Sequence, residues 1–328
     1  MDSWKGHSIT TRRQWLAGND VAKYTDLGKP EVYALADHYG LTLDGFKPIE
    51  GGARNSSYVL QSQQGEYVLT VFDDRSRADV DKLGRLLLLL EEHDFPATRL
   101  LQPEQGGITA MHGDKPVMMK EYIAGDVRRD LDLPMLSQAG ASMATLHQLK
   151  IPDHLLECEH PYGLHLFGNV IGRNIDPSYE SWLAGQISYL TEKIPADVPR
   201  GFIHGDLFYD NLLFDGDELR AIIDFEEACL YFKVFDLGMG IVGMCRDDTK
   251  VVPEKAKALV AGYQKVRILE EEEKRTLMLF AEYAATATSY WRYWQYNIHT
   301  PIAKNANKHW HMARLAKELR GMDPALFY

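Results

Sequence analysis

The sequence predicts an α+β fold in which a small antiparallel sheet comes first and a larger, mainly helical region follows. Between residues 46 and 121, short apolar segments alternate with turn signals such as Gln63-Gln64-Gly65-Glu66, the pattern of strands joined by hairpins. From residue 134 onward, apolar residues recur at helical spacing, as Leu136, Ala139 and Met143 do. At 328 residues, the chain is long enough for two domains or one two-lobed unit.

The predicted elements follow one another in a simple order. A first helix ends at Gly40, a residue type that commonly terminates helices. Two apolar runs flank Asp215-Gly216-Asp217, a strong hairpin signal. The predicted helices cover residues 30–39, 78–93, 134–149, 178–194, 236–244, 253–263 and 270–296, and the predicted strands cover residues 46–50, 58–61, 67–72, 96–101, 107–112, 211–214 and 219–223. Residues 152–173, rich in His, Pro and Gly, predict no helix.

The residues that flank the Asp-Gly hairpin carry the strongest functional signal. His204-Gly205-Asp206 comes before it, four residues separate Asp206 from Asn211, and Asp224-Phe225 follows the second run. This order and spacing are those of the phosphoryl-transfer loop of kinases. A lone Asp-Gly hairpin usually has no function, but the combination predicts a phosphotransferase.

Each residue type in this stretch suits phosphoryl transfer. Asp206 is the predicted general base, which accepts the proton of a substrate hydroxyl. Asn211 and Asp224 offer the oxygen ligands that Mg²⁺ prefers, and the hairpin between them holds them together. His204 is expected to orient the loop. Asp236 is expected to bond backbone N–H groups of the loop or to cap the helix that follows.

A loop of small residues between the first two predicted strands is the candidate phosphate-binding loop. Kinases cover the ATP phosphates with backbone N–H groups of such a strand–loop–strand unit, although a hairpin without a ligand is an alternative. The predicted contacts are Gly51, Gly52, Asn55, Ser56 and Ser57.

The third strand departs from the kinase pattern. Kinases carry a phosphate-binding Lys there, paired with a Glu on the next helix. Thr70 occupies the Lys position, and residues 78–93 show no Glu at the partner position. Two explanations stay open: a different phosphate grip, for which Arg54 is a candidate, or an inactive kinase that only binds nucleotide.

Residues 116–125 have the form of the segment that joins the two lobes of a kinase. The backbone of Glu121, Tyr122 and Ile123 is the candidate for hydrogen bonds to adenine, and an ordinary edge strand is the alternative. This interpretation divides the chain into an N-terminal extension (1–30), an N-lobe (31–120), a hinge (121–125) and a C-lobe (126–328).

From about Phe46 onward, the chain resembles the aminoglycoside phosphotransferase/choline kinase superfamily and, within it, is most similar to bacterial type II homoserine kinases. The matching stretches are Asn55-Ser56-Ser57-Tyr58, residues 67–72, residues 199–211, Ile223-Asp224-Phe225, Ala228-Cys229 and Phe235-Asp236-Leu237. The resemblance implies a bilobal protein-kinase-like fold, with a small antiparallel-sheet N-lobe and a larger, mainly helical C-lobe. It also implies ATP, Mg²⁺ and a small-molecule hydroxyl acceptor, with Asp206 as base and Asn211 and Asp224 as metal ligands. Those homoserine kinases are similar in carrying Thr in the third strand.

The acceptor is the least determined part of this interpretation. The resemblance favours a homoserine-like hydroxy amino acid or amino alcohol, whereas Asp-Phe-Glu is more similar to choline and ethanolamine kinases, which recognise an amine. Choline, ethanolamine and aminoglycosides are therefore alternatives. Aromatic residues near 290–296 fit either core packing or a substrate wall, with Arg292 for a carboxylate or the rings for an ammonium. The candidate acceptor-binding residues are Asp210, Glu226, Trp291 and Arg292.

Composition limits the partners and the location. A formal charge of −11 argues against nucleic acid or an anionic membrane. The longest apolar block, residues 86–90, is too short to span a bilayer, and the first residues lack an apolar signal core. Three cysteines form no disulfide or metal pattern, which fits a reducing compartment. We expect a cytoplasmic monomer or homodimer.

Overall fold

The computed structural model describes residues 25–49, 55–157 and 159–328. Within these ranges, the helices are α1 (Lys29–Asp37), α2 (Arg77–Glu92), α3 (Leu133–Leu146), α4 (Pro177–Lys193), α5 (Lys233–Met244), α6 (Pro253–Gln264), α7 (Glu271–Trp294) and α8 (His309–Arg320). The strands are β1 (Leu43–Ile49), β2 (Asn55–Ser62), β3 (Gly65–Phe72), β4 (Leu100–Leu101), β5 (Ala110–His112), β6 (Lys115–Glu121), β7 (Arg200–Ile203), β8 (Leu212–Asp215), β9 (Glu218–Ile222), β10 (Cys229–Phe232), β11 (Arg246–Asp247) and β12 (Lys250–Val251).

The chain forms two compact units. The first contains the described residues up to Arg128, together with residues 210–216 and 220–226. The second contains the described residues of 129–209, 217–219 and 227–328. The predicted α+β composition is confirmed, because the first unit is built on an antiparallel sheet and the second is mainly helical.

The first unit is organised by a sheet with the strand order β1-β2-β3-β6-β4, and β5 also pairs with β6. Alternation along β2 and β3 turns Leu60, Leu69 and Val71 toward a core that α1 completes. The Tyr39 hydroxyl just after α1 donates to the Val117 carbonyl at 2.9 Å and accepts from the Ala110 N–H at 3.1 Å. These bonds attach the end of α1 to β6 and β5.

One feature of this unit differs from the sequence predictions. Residues 55–57 were expected in a loop but belong to β2, where they pair with residues 70–72 of β3. Their side chains find partners in the sheet, since the Ser57 and Thr70 hydroxyls lie 3.3 Å apart. The predicted N-terminal extension is described only from residue 25. Leu27 of that segment is buried in the core of the first unit, and its N–H donates to the Tyr58 hydroxyl at 2.8 Å.

Glycines allow very close helix packing in the second unit. A Cβ added at Gly140 of α3 would lie 2.1 Å from the Leu259 carbonyl oxygen of α6, and one added at Gly262 of α6 would lie 2.1 Å from the Ser137 carbonyl oxygen of α3. The two helices therefore approach backbone to backbone. Helix α5 is buried from Val234 to Met244, so it forms a central core helix of this unit.

The sequence did not predict helix α8 or the strands β7, β10, β11 and β12 of the second unit. Helix α8 follows α7, and the short strands β7 and β10 pair antiparallel with Ile203 opposite Cys229. Strands of four residues carry too little periodicity to be recognised from one sequence. The pair matters for function because the loop with Asp206 begins directly after β7.

Among the described residues, no helix combines the length and the apolar character needed to cross a membrane.

Candidate active site

The predicted catalytic loop leaves β7 through a glycine that no other residue replaces easily. Gly205 has φ +81°, in the left-handed region that glycine adopts without strain. A Cβ at this position would lie 2.5 Å from the Glu227 carbonyl oxygen. The backbone of Glu227 therefore packs directly against the loop, one residue before the half-buried Asp206.

A single buried carboxylate organises this loop. Asp236, in the first turn of α5, accepts hydrogen bonds from the N–H groups of His204 and Gly205, both at 2.9 Å. The His147 ring donates to the same carboxylate from Nε2 at 3.0 Å. Burial alone raises the pKa of Asp236, but the hydrogen bonds from the His147 ring and the His204 N–H hold that pKa below its usual range. Asp236 is therefore ionised and has three donors on its two oxygens.

His147, which donates to Asp236, is itself held by further hydrogen bonds within the second unit. Burial lowers the pKa of His147, so the ring is neutral and carries its proton on Nε2. Its Nδ1 accepts from the Tyr263 hydroxyl at 2.8 Å, and Arg267 donates to that hydroxyl at 3.0 Å. Arg267 also donates to the buried Glu273 at 2.9 Å. Because Arg267 donates to the Tyr263 hydroxyl, that hydroxyl donates its own hydrogen to His147 Nδ1. The His147 proton therefore stays on Nε2, where it faces Asp236.

His160 holds the loop from another direction. Its Nε2 donates to the Gly205 carbonyl at 2.8 Å, and its Nδ1 accepts from the Tyr162 N–H at 3.1 Å. Burial lowers the pKa of His160, so it is neutral as well. His204, completely buried, accepts the Asp206 N–H on Nδ1 at 3.3 Å. The sequence alone assigned no role to His160, because no spacing pattern connects it to Gly205.

The two predicted metal ligands lie in the first unit at adjacent ends of the β8–β9 hairpin. The Ile223 N–H donates to the Asn211 carbonyl at 2.9 Å, which aligns Asn211 with the residue before Asp224. Asp224 has φ +68°, a strained value that Asp tolerates better than most residues. Phe225 anchors the next position, with its ring 6.3 Å from that of Phe95. A neutral amide oxygen and a carboxylate fit the hard-oxygen chemistry of Mg²⁺. Asp210, beside Asn211, is buried.

The predicted phosphate-loop residues have distinct surroundings. Gly51, Gly52 and Arg54 lie outside the described residues. Asn55 donates from Nδ2 to the Glu226 carboxylate at 2.6 Å. Ser56 is buried, and its hydroxyl donates to Asp73 at 2.8 Å and accepts from the Thr25 N–H at 2.8 Å. The Ser56 hydroxyl therefore bonds Asp73 and Thr25, whereas the Asn55 side chain bonds Glu226, two residues after Asp224.

The predicted hinge begins where β6 ends. The Glu121 N–H donates to the Arg99 carbonyl at 3.0 Å, and the Tyr122 N–H donates to the Glu66 carbonyl at 3.0 Å. Both N–H groups are therefore engaged within the first unit. Ile123, the third residue whose backbone is predicted to bond adenine, comes directly after these two positions.

A row of aromatic and charged side chains extends from the catalytic loop across the second unit. Glu227 is buried, and it accepts the Tyr162 hydroxyl at 2.9 Å. The Tyr162 ring meets Trp291 edge to face at 6.1 Å, and Trp291 meets Tyr296 at 5.8 Å. At the far end, Arg292 lies against the Lys308 carbonyl at 3.5 Å. We refer to Glu227, Tyr162, Trp291, Tyr296, Arg292 and Lys308 as the acceptor wall, after Trp291 and Arg292, which were predicted to contact the acceptor.

Positive charge is concentrated at the distal end of the acceptor wall. The Lys308 ammonium lies 5.8 Å from the Tyr296 ring centre. Burial lowers the pKa of Lys308, and the positive charges of Arg292 and Lys304 lower it further. Trp291, Arg292 and Glu226 were predicted from the sequence as candidate acceptor contacts, and Glu227 was not. Adjacent glutamates cannot be told apart by a motif, and only the fold shows that Glu227 belongs with Gly205.

Together, the antiparallel-sheet unit, the helical unit and the loop held by Asp236 define a kinase-like fold. Solved structures agree on the fold. The amicoumacin kinase hAmiN, in complex with AMP-PNP, Ca²⁺ and Ami, superposes with a TM-score of 0.72 and 16% identity over 92% of this chain and 98% of that chain. A microcompartment-associated aminopropanol kinase superposes with a TM-score of 0.68 and 18% identity over 88% of this chain and 95% of that chain.

Sequence comparison places the chain in a family. Residues 45–269 match the phosphotransferase enzyme family APH, and the chain belongs to that family. A homoserine kinase of Chelativorans sp. (strain BNC1) is 31% identical over 277 residues, which cover 81% of this chain and 85% of the relative. The chain is therefore a homoserine kinase-like, small-molecule phosphotransferase that acts on a hydroxyl group. This membership favours the enzyme over the inactive-kinase alternative.

Proposed function

We propose that this protein transfers the γ-phosphoryl group of ATP to the side-chain hydroxyl of a small hydroxy amino acid related to homoserine. The observation that carries the proposal is the support of the Asp206 loop by Asp236, which accepts the N–H groups of His204 and Gly205 at 2.9 Å. Such a rigidly held loop is what a positioned general base requires.

The roles of the residues follow from their chemistry. Asp206 accepts the proton of the attacking hydroxyl, as a carboxylate in a half-buried position can do. Asn211 and Asp224 would hold Mg²⁺, which neutralises charge on the nucleotide phosphates when it is bound. The backbone after β6, with Ile123 as its first position beyond the sheet bonds, would hold the adenine edge. His204 and Asp236 keep the loop in one conformation.

The acceptor wall supports an acceptor that carries both an amine and a carboxylate. Glu227, next to the catalytic loop, would bind an ammonium group, and the rings of Tyr162 and Trp291 would line its apolar carbons. Arg292 and Lys308, at the other end, would bind a carboxylate. The homology to homoserine kinases agrees with this arrangement.

An amino alcohol without a carboxylate is the second candidate acceptor. The likeness to the aminopropanol kinase favours it, as does the combination of a buried Glu227 with aromatic neighbours. Such a substrate would use the Glu227 end of the acceptor wall and leave Arg292 without a role in catalysis.

Turnover with Mg-ATP against a panel of acceptors tests both candidates. The panel contains L-homoserine, choline, ethanolamine, 1-amino-2-propanol and an aminoglycoside, with ADP release as the readout. We expect L-homoserine or a close hydroxy amino acid to respond most strongly. Asp206→Asn should lower kcat by roughly 10²–10⁴-fold, while exposed Asp197→Asn should not change it. Turnover by Asp206→Asn at the wild-type rate would refute the assignment of the base.

Cytoplasmic location and a monomeric or homodimeric state also belong to this proposal. Cell fractionation and sedimentation of the purified chain test them directly.

A further inference from the structure

The structure offers a replacement for the cation that the third strand lacks. Thr70, at the position of the kinase Lys, is buried, and its hydroxyl lies 3.3 Å from that of Ser57. Lys115 is committed elsewhere, because its ammonium contacts Asp73 at 2.7 Å and the Thr25 hydroxyl at 2.6 Å. Neither side chain is suited to bind nucleotide phosphates.

Arg75 is placed differently. It lies in the short connection between β3 and α2, and its guanidinium contacts one residue twice. Nη2 donates to the Glu226 carbonyl at 2.8 Å, and Nε lies 3.5 Å from the Glu226 carboxylate. Glu226 comes two residues after Asp224, a predicted metal ligand. Arg75 is thus fixed to Glu226, a residue that lies 151 positions away in the sequence and two positions after a predicted metal ligand.

Glu226 also joins this position to the phosphate loop. Its carboxylate accepts Asn55 Nδ2 at 2.6 Å, and Asn55 is the first described residue after the glycines of that loop. Asn55, at the start of β2, and the Arg75 guanidinium therefore meet at the Glu226 carboxylate. All of these residues belong to the first unit.

We infer that Arg75 is the residue that binds the nucleotide phosphates in this enzyme, and that Glu226 is its positioning partner. The inference rests on the proposed ATP-dependent function. In kinases a Lys and a Glu form an ion pair that serves this purpose. Here the cation comes from the end of the third strand and the anion from the turn after Asp224. A guanidinium has several N–H donors in a planar fork that suits phosphate, and the two contacts with Glu226 leave others for a ligand.

The exposure of the pair fits a ligand-binding role. The Arg75 side chain is 26% exposed and that of Glu226 is 15% exposed. The guanidinium is therefore ordered by its partner yet accessible to solvent. An ion pair that served stability alone would contribute little at such exposure.

Nucleotide binding separates this role from a structural one. The test compares the affinities of wild type, Arg75→Gln, Arg75→Lys and Glu226→Gln for MgADP and for adenosine, measured by calorimetry on the full chain. Arg75→Gln should weaken MgADP binding by roughly 10- to 100-fold, the effect of losing a charged hydrogen-bond donor, and leave adenosine binding unchanged. Arg75→Lys should recover part of the MgADP affinity because it keeps the charge.

Glu226→Gln should weaken MgADP binding less than Arg75→Gln, since it loosens the guanidinium without removing it. Arg85→Gln, an exposed Arg on α2, is the matched control and should bind as wild type does. Equal MgADP affinities of wild type and Arg75→Gln would overturn the inference. A parallel loss of adenosine and MgADP binding would also overturn it, because it would show a structural role. If the wild type bound no MgADP, the proposed function itself would fail.

Discussion

Replacing Asp236 by Asn tests how the catalytic loop is held. The change keeps the size of the side chain but converts one acceptor oxygen into an NH₂ donor. One carboxylate oxygen accepts the His204 N–H and the His147 ring, and the other accepts the Gly205 N–H. His147 can change its tautomer, but the two backbone N–H groups cannot change. In either orientation of the Asn side chain, its NH₂ group therefore faces the N–H of His204 or of Gly205, and that buried N–H loses its acceptor.

The magnitude follows from these contacts. A buried donor without a partner costs about 1–3 kcal/mol. The remaining bonds also weaken, because an ionised acceptor binds roughly twice as strongly as a neutral one. We expect the free energy of unfolding to fall by about 2–4 kcal/mol. Displacement of the loop by about 1 Å should lower kcat by about 10²-fold, with little change in MgADP affinity.

Urea unfolding and steady-state turnover measure the two effects on one preparation. Asp206→Asn is the informative comparison, since it should lower kcat without a loss of stability. Asp197→Asn, exposed in the same unit, should change neither. If Asp236→Asn had wild-type stability and wild-type kcat, the loop would not depend on the Asp236 bonds, and the argument for its role would be wrong.

Three further predictions concern the glycines, the histidines and the acceptor wall. Gly262→Ala should lower the free energy of unfolding, measured by urea titration, by about 1–3 kcal/mol, because the new Cβ would meet the Ser137 carbonyl. Gly185 on α4 has open space around it, so Gly185→Ala should instead raise that free energy by about 0.5–1 kcal/mol. The pKa values of buried His147 and His160 are lowered in the folded state, so the unfolded state binds more protons below the ordinary His pKa of about 6.5 and stability is lost as pH falls from there. As the pH falls below about 6.5, the free energy of unfolding should therefore fall, and His147→Gln should make this fall less steep. An unchanged pH dependence of urea unfolding in that variant would contradict the assignment. Glu227→Gln should raise KM for an amine-bearing acceptor by about 10-fold or more with KM for ATP unchanged, and an unchanged acceptor KM would remove Glu227 from the acceptor wall.

The sequence by itself determined the features that are local in the chain. The spacing of His204, Asp206, Asn211 and Asp224 is contained in a single stretch, so it predicted the phosphotransferase class that family membership confirms. The hairpin turn at Asp215-Gly216-Asp217 and the long amphipathic helices were equally readable, because turn chemistry and periodicity are properties of neighbouring residues. Their boundaries agree with the structure to within a few residues.

Only the tertiary structure decided which distant side chains support these local features. His147 and Asp236 are 89 positions apart, Arg75 and Glu226 are 151 apart, and Asn55 and Glu226 are 171 apart. A hydrogen bond needs two groups within about 3 Å, and no local pattern states which remote residue will fill that place. The same reason explains why the sequence did not point to Glu227 or to His160. Motif spacing predicted the reacting groups, whereas the packing of helices and strands decided which residues hold them.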